Sequence, residues 1–85
     1  MKEEKCNGWT NHETWEAGAM IDNVEEMYLY YTEIIQNYND AKEFALKLQK
    51  TFYSFKWVRD NMTRGEILKI NWMEIAESMM EEKEE

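Results

Sequence analysis

The chain lacks most devices that hold a small protein together from outside its core. A single cysteine, Cys6, excludes an internal disulfide. There is no proline, and the three glycines, Gly8, Gly18 and Gly65, stand alone. That excludes a Pro-rich or Gly/Ser linker and a glycine-rich phosphate loop. Cys6 and His12 are the only soft metal ligands, where a structural zinc site takes about four, so no metal is expected. A Cys-His nucleophile needs a positioned base and an oxyanion hole, and Cys6 sits in a polar leader read over residues 1–7. No catalytic residue, no enzyme activity and no cofactor is expected. No apolar run approaches the roughly 20 residues that cross a membrane. With no secretion signal to be read, a reducing cytoplasm is the expected compartment.

What is present points to one helical domain. The length of 85 residues allows one domain, residues 1–85, and a hydrophobic share of 44% is too high for a disordered acidic chain. So small a domain buries only about 60% of its unfolded surface, so large side chains must pack well. Trp9, Trp15, Trp57 and Trp72 supply aromatic area, and seven methionines, among them Met62, Met73, Met79 and Met80, supply adaptable filling.

The helices are legible from spacing and caps. Thr10-Asn11-His12-Glu13 reads as a capping box, with Thr10 as the cap of a first helix over residues 11–22. Asn23, followed by Glu26, reads as the cap of the next. Val24, Met27, Tyr31, Ile34 and Tyr38 then recur at helical spacing. Asp40 caps a third helix, whose stripe of Ala41, Phe44, Ala45, Leu48, Phe52 and Phe55 runs in phase on to Val58 and Met62. Asn61 is a stop signal. Thr63-Arg64-Gly65-Glu66 is another capping box, and Asn71 with Glu74 starts a last helix carrying Trp72, Ile75, Ala76 and Met79. Residues 81–85 read as a frayed end. The expected fold is all-α, a compact bundle of four to five short helices.

Charge is unevenly placed. Residues 1–40 carry nine acids and two bases, residues 41–69 three and seven, and residues 70–85 six and one, which gives −7, +4 and −5 for a net −8. The plainest consequence is pairing of the basic middle with its acidic flanks across the surface, at about 0–1 kcal/mol per pair. A second is an acidic face of Glu16, Asp22, Glu25, Glu26 and Glu33 that imitates a nucleic-acid backbone and covers a basic groove on another protein. A third is direct nucleic-acid contact through the 41–59 helix, by Lys47, Lys50, Tyr53, Lys56 and Trp57. The net negative charge opposes the third, because phosphate binding needs clustered positive charge. Glu74 and Glu77 share a helical face and read as hydrophilic surface. Tyr28, Tyr30, Tyr31 and Tyr38 read as core and rim, with an exposed subset suited to a protein contact.

One stretch is more specific than any periodicity. Asn7-Gly8-Trp9-Thr10-Asn11-His12-Glu13-Thr14-Trp15 resembles the N-terminal signature of a family of small proteins from phages, plasmids and archaeal mobile elements. His12 stands where that signature has an aromatic. Asp22-Asn23 and the Ile70-to-Glu77 segment resemble further parts of the pattern. The resemblance implies a mobile-element gene acting in a prokaryotic cytoplasm, and it brings no catalytic residues. In the motif, Trp9, Thr10, Asn11, Glu13, Thr14 and Trp15 read first as structure: Thr10 and Glu13 cap, and Trp9 and Trp15 anchor the first helix in the core. Asn11 and Thr14 are the polar members suited to a further role. The functional expectation is a non-enzymatic acidic binding protein that inhibits a host nucleoprotein defence system of the CRISPR or restriction type. The alternative is a small regulator contacting nucleic acid through the basic helix. A second copy of the chain is also an admissible partner.

Overall fold

Most of the helices begin where a short polar side chain accepts the free amides of a first turn, and the apolar stripes then fix which faces meet. The computed structural model describes residues 8–83; Cys6 and the leader lie outside them, as do residues 84 and 85. Within that span the chain forms α1 (His12–Asn23), α2 (Glu25–Ile34), a 3₁₀ turn (Ile35–Asn37), α3 (Ala41–Phe52), α4 (Lys56–Asn61), α5 (Arg64–Leu68) and α6 (Trp72–Lys83), with no strand among the described residues. This is the all-α bundle that the spacing predicts, with six α-helices because the third stripe is divided in two.

Three of the expected caps form. Asp40 Oδ1 accepts from Lys42 N at 3.0 Å, and Asn71 Oδ1 accepts from Glu74 N at 3.1 Å. The Thr63 box closes in both directions, Glu66 N to Thr63 Oγ1 at 3.2 Å and Thr63 N to Glu66 Oε1 at 2.9 Å. Two others are corrected. Asn23 ends α1 rather than starting α2. The extended residue between the two helices is Val24 (φ −94°, ψ 108°), whose amide closes α1 on Met20 O at 2.9 Å while its carbonyl accepts Tyr28 N at 2.9 Å. The α2 start has no side-chain cap, and Glu25 and Glu26 sit in its first turn, where the helix dipole favours negative charge.

The expected long third helix breaks at residues 53–55. Its stripe stays in phase, so periodicity could not reveal the break; polar contacts make it stable. Arg59 Nη1 donates to Tyr53 O at 3.1 Å and to Ser54 O at 2.6 Å, and Ser54 Oγ donates to Thr51 O. These bonds satisfy carbonyls that a helix end leaves free. The break places Phe55 against Tyr30 and Tyr31, with ring centroids 5.6 and 5.7 Å apart, while Val58 and Met62 still reach the core.

The core gathers Ile21, Met27, Tyr31, Phe44, Leu48, Phe52, Val58 and Ile75. α3 lies along α6, and α1 packs on both α2 and α6. Phe52 meets Trp72 edge-on at 5.1 Å, and Phe44 meets Tyr31 edge-on at 6.4 Å. Tyr31 is fully buried, with its hydroxyl 2.8 Å from Thr51 Oγ1. Thr51 gives its own proton to Lys47 O at 2.8 Å, so Tyr31 is the donor to Thr51. Burial holds the Tyr31 phenol well above its usual pKa. The last helix keeps its form through Lys83, past the point at which the sequence reads as frayed. No helix among the described residues is long and apolar enough to cross a membrane.

Candidate partner-binding surface

The signature motif divides between two faces of α1. Its inward side joins the starts of α1 and α6. Asn11, not Thr10, caps α1: Asn11 Oδ1 accepts from Thr14 N at 2.8 Å and from Thr14 Oγ1 at 2.6 Å. Thr14 is completely buried, and its hydroxyl oxygen also accepts Asn71 N at 2.9 Å. Asn11 Nδ2 donates to Lys69 O at 2.9 Å, and Asn71 Nδ2 reaches Thr10 Oγ1 at 3.4 Å. The Thr10–Glu13 box does not form, because Thr10 N donates to Glu74 Oε1 at 3.0 Å. Glu74 is therefore a cross-helix acceptor and not merely hydrophilic surface. The two helix starts supply one another's missing partners. Asn11 and Thr14 thus have a visible structural task.

The two tryptophans of the motif separate as well. Trp9 follows Gly8, whose positive φ of 94° suits glycine, and packs on the core. Its ring lies so close to Gly18 that a Cβ there would fall 3.3 Å from Trp9 Cζ2. Trp15, expected as a core anchor beside it, instead lines a surface groove with His12, Glu16, Asn23 and, from α4, Trp57. The reason is helical phase: Thr14, Ala17 and Ile21 take the buried side, and Trp15 falls off it. The groove holds about 490 Å³ and is open along one side. His12 stacks obliquely on Trp15 with centroids 5.3 Å apart, and its Nε2 lies 3.7 Å from Glu16 Oε1. Trp57 is 54% exposed, unusual for so large an apolar ring.

The five acids proposed as an acidic face are divided between α1 (Glu16, Asp22) and α2 (Glu25, Glu26, Glu33). Asp22, Glu25, Glu26 and Glu33 are exposed, and Glu16 is half-buried in the groove wall. Residues 12–34 carry six acids and no Lys or Arg. Among the described residues, none of Asp22, Glu25, Glu26 and Glu33 has an ion-pair partner. One apolar side chain lies among these acids: Leu29 is 55% exposed, while Tyr28, 46% exposed, lines a depression with Thr32, Gln36 and Met79. Leu29 falls at helical spacing between Glu25 and Glu33, so apolar contact area is framed by carboxylates. Leu29 is not among the residues that the sequence singles out as a candidate contact. Its distance from the Met27–Tyr31–Ile35 side is the signal that finds it.

The candidate basic residues are divided between two helices. Lys47 and Lys50 lie on α3 and Lys56 and Trp57 on α4, with the break between them. Lys56 pairs with Asp60 at 2.9 Å, Arg59 is engaged by the break, and Arg64 sits over the Tyr53 ring at 5.2 Å. Trp57 faces the groove it shares with Glu16. Among the described residues no group of three His, Cys, Asp or Glu is placed to hold a metal ion. Compared with protein-family models, curated proteins and solved structures, the chain matches none.

Proposed function

We propose that this chain is a non-enzymatic acidic binding protein of a phage or other mobile element, acting in the cytoplasm of a prokaryotic host. Its target is a basic nucleic-acid-binding surface on a host defence nucleoprotein, of the CRISPR or restriction type. The observation that carries the reading is the α1–α2 face. Glu25, Glu26 and Glu33, without an ion-pair partner among the described residues, frame the exposed Leu29, and no Lys or Arg occurs over residues 12–34. Carboxylates on a helix supply the charge that a basic groove expects from phosphates, and the apolar residue between them supplies contact that a merely solvated face lacks. The resemblance of the Gly8-to-Trp15 stretch supports the mobile-element source. The broken basic segment, with Lys56 paired and Arg59 engaged, weighs against direct nucleic-acid contact.

The test is plasmid transformation of a host whose CRISPR or restriction system is active against that plasmid. The wild-type chain should restore transformation, and the Glu25→Lys/Glu26→Lys/Glu33→Lys variant should not. Binding to the purified target should weaken as salt rises, since the screening length falls from about 10 Å at 0.1 M to about 3 Å at 1 M. Tight binding of a labelled oligonucleotide by the chain alone, lost on reversal of Lys47, Lys50 and Lys56, would overturn the proposal.

A further inference from the structure

We infer that the α1–α4 groove receives an arginine side chain of the partner protein, with the guanidinium lying on the Trp57 indole and paired with the Glu16 carboxylate. The inference rests on the proposed reading that the partner presents a basic surface. Five observations lead to it. The groove, at about 490 Å³, falls in the size range of ligand sites and is open along one side, which suits a side chain arriving on a protein surface. Its walls are aromatic: Trp15 from α1 and the exposed Trp57 from α4. It holds one carboxylate, Glu16, and no Lys or Arg. The nearest cations of α4 are committed elsewhere, Lys56 to Asp60 and Arg59 to the carbonyls of Tyr53 and Ser54. Among the described residues no Lys or Arg pairs with Glu16; its one such neighbour is the mostly exposed His12 imidazole, at 3.7 Å.

Arginine suits this arrangement better than lysine or an apolar side chain. Its planar guanidinium stacks on an indole face and still offers a fork of donors to a carboxylate, whereas lysine is a strongly hydrated point charge. An apolar side chain would use the indoles and leave Glu16 facing it without a partner. The groove also opens on the same acidic half of the molecule as Glu25 and Glu26, so one basic surface could engage both.

The experiment follows the indole N–H resonances of the whole chain in a two-dimensional NMR titration. Trp9 and Trp72, which pack on the core, serve as internal references. The probes are a short capped Gly-Arg-Gly-Arg-Gly peptide, its lysine and norleucine counterparts, and a single-stranded oligonucleotide. The arginine peptide should shift the Trp15 and Trp57 resonances while Trp9 and Trp72 stay in place. It should bind about 2- to 5-fold more tightly than the lysine peptide. Glu16→Gln should weaken it by about the same factor, and Trp57→Leu, at an exposed position that leaves the helical spectrum intact, should remove the response of Trp15. Equal or stronger responses to norleucine, lysine or the oligonucleotide would overturn the inference, as would no response to arginine. If defence inhibition is lost on reversal of Glu25, Glu26 and Glu33 but the arginine peptide leaves the groove unmoved, the inference falls and the function stands. If the peptide engages the groove but the chain restores no transformation, the function falls and the arginine site stands.

Discussion

The two faces of the α1–α2 pair differ more than any two segments of the chain. The inward face is saturated. Asn11, Thr14 and Asn71 exchange hydrogen bonds of 2.6 to 2.9 Å, Trp9 lies against Gly18, and Tyr31 gives its proton to Thr51. The outward face, one residue away in sequence, is unsatisfied: Trp15 borders an open groove, Leu29 is exposed, and Glu25, Glu26 and Glu33 have no ion-pair partner among the described residues. A motif of adjacent residues therefore does two jobs, because helical phase sends neighbours to opposite sides. The inward residues determine whether the chain folds, and the outward ones are free to determine what it touches.

Breaking the inward face should cost most. Thr14→Val keeps the shape of a fully buried side chain and leaves Asn71 N without its acceptor. The expected loss is about 1–3 kcal/mol in a denaturant melt, the cost of leaving a partly buried donor without its acceptor and of losing the Thr14 bond to Asn11. Asn11→Ala should follow at about 0.5–2 kcal/mol, the usual value of a helix cap. Thr10→Ala should be the milder of the two capping variants, because its hydroxyl only receives Asn71 Nδ2 at 3.4 Å and its amide bond to Glu74 survives. If Thr10→Ala proved the more harmful, the cap would belong to Thr10 after all.

That reversal marks where the sequence stopped being readable. Asp40, Thr63 with Glu66, and Asn71 were legible because each is complete within three residues. At residues 10–13 two local caps compete, and the choice is made by Glu74, which takes Thr10 N from 64 residues away. The break at residues 53–55 was hidden likewise: the apolar stripe stays in phase, and Arg59 stabilises the break by folding back onto Tyr53 and Ser54. The acidic face was legible as composition and register. The groove was not, since it needs Trp15 and Trp57, 42 positions apart in sequence, on two helices whose meeting no local pattern announces.

A smaller effect contrasts two tyrosines of one helix. Tyr31→Phe removes the bond to Thr51 and should cost about 0.5–1.5 kcal/mol at neutral pH, while Tyr28→Phe, on the exposed side, should be near neutral. The raised pKa of Tyr31 gives the pair a pH signature. In the unfolded chain the phenol ionises at about 10, and in the folded chain it resists ionisation. The stabilising preference for the neutral form is thus full below about pH 10 and is lost as pH rises beyond it. Tyr31→Phe should flatten the alkaline limb of a stability curve.

The smallest effect is the most pointed test of the outward face. Glu33 lies in the last turn of α2, where the helix dipole presents partial negative charge, on a chain already at −8. An acid there opposes both fields and has no ion-pair partner among the described residues. Glu33→Lys should therefore stabilise the fold, by about 0.3–1 kcal/mol at low salt. For a domain of this size that is a rise of very roughly 1–8 °C in melting temperature, shrinking in 1 M salt. Glu25 and Glu26, in the first turn, favour the same dipole, so their reversal should destabilise by a similar amount each. Stability and binding thus part company at Glu33 alone. A variant that melts higher yet binds the defence target more weakly would mean that the acid is kept against the interest of the fold. A variant that melts higher and binds as before would remove Glu33 from the interface and shorten the acidic face to its N-terminal turn.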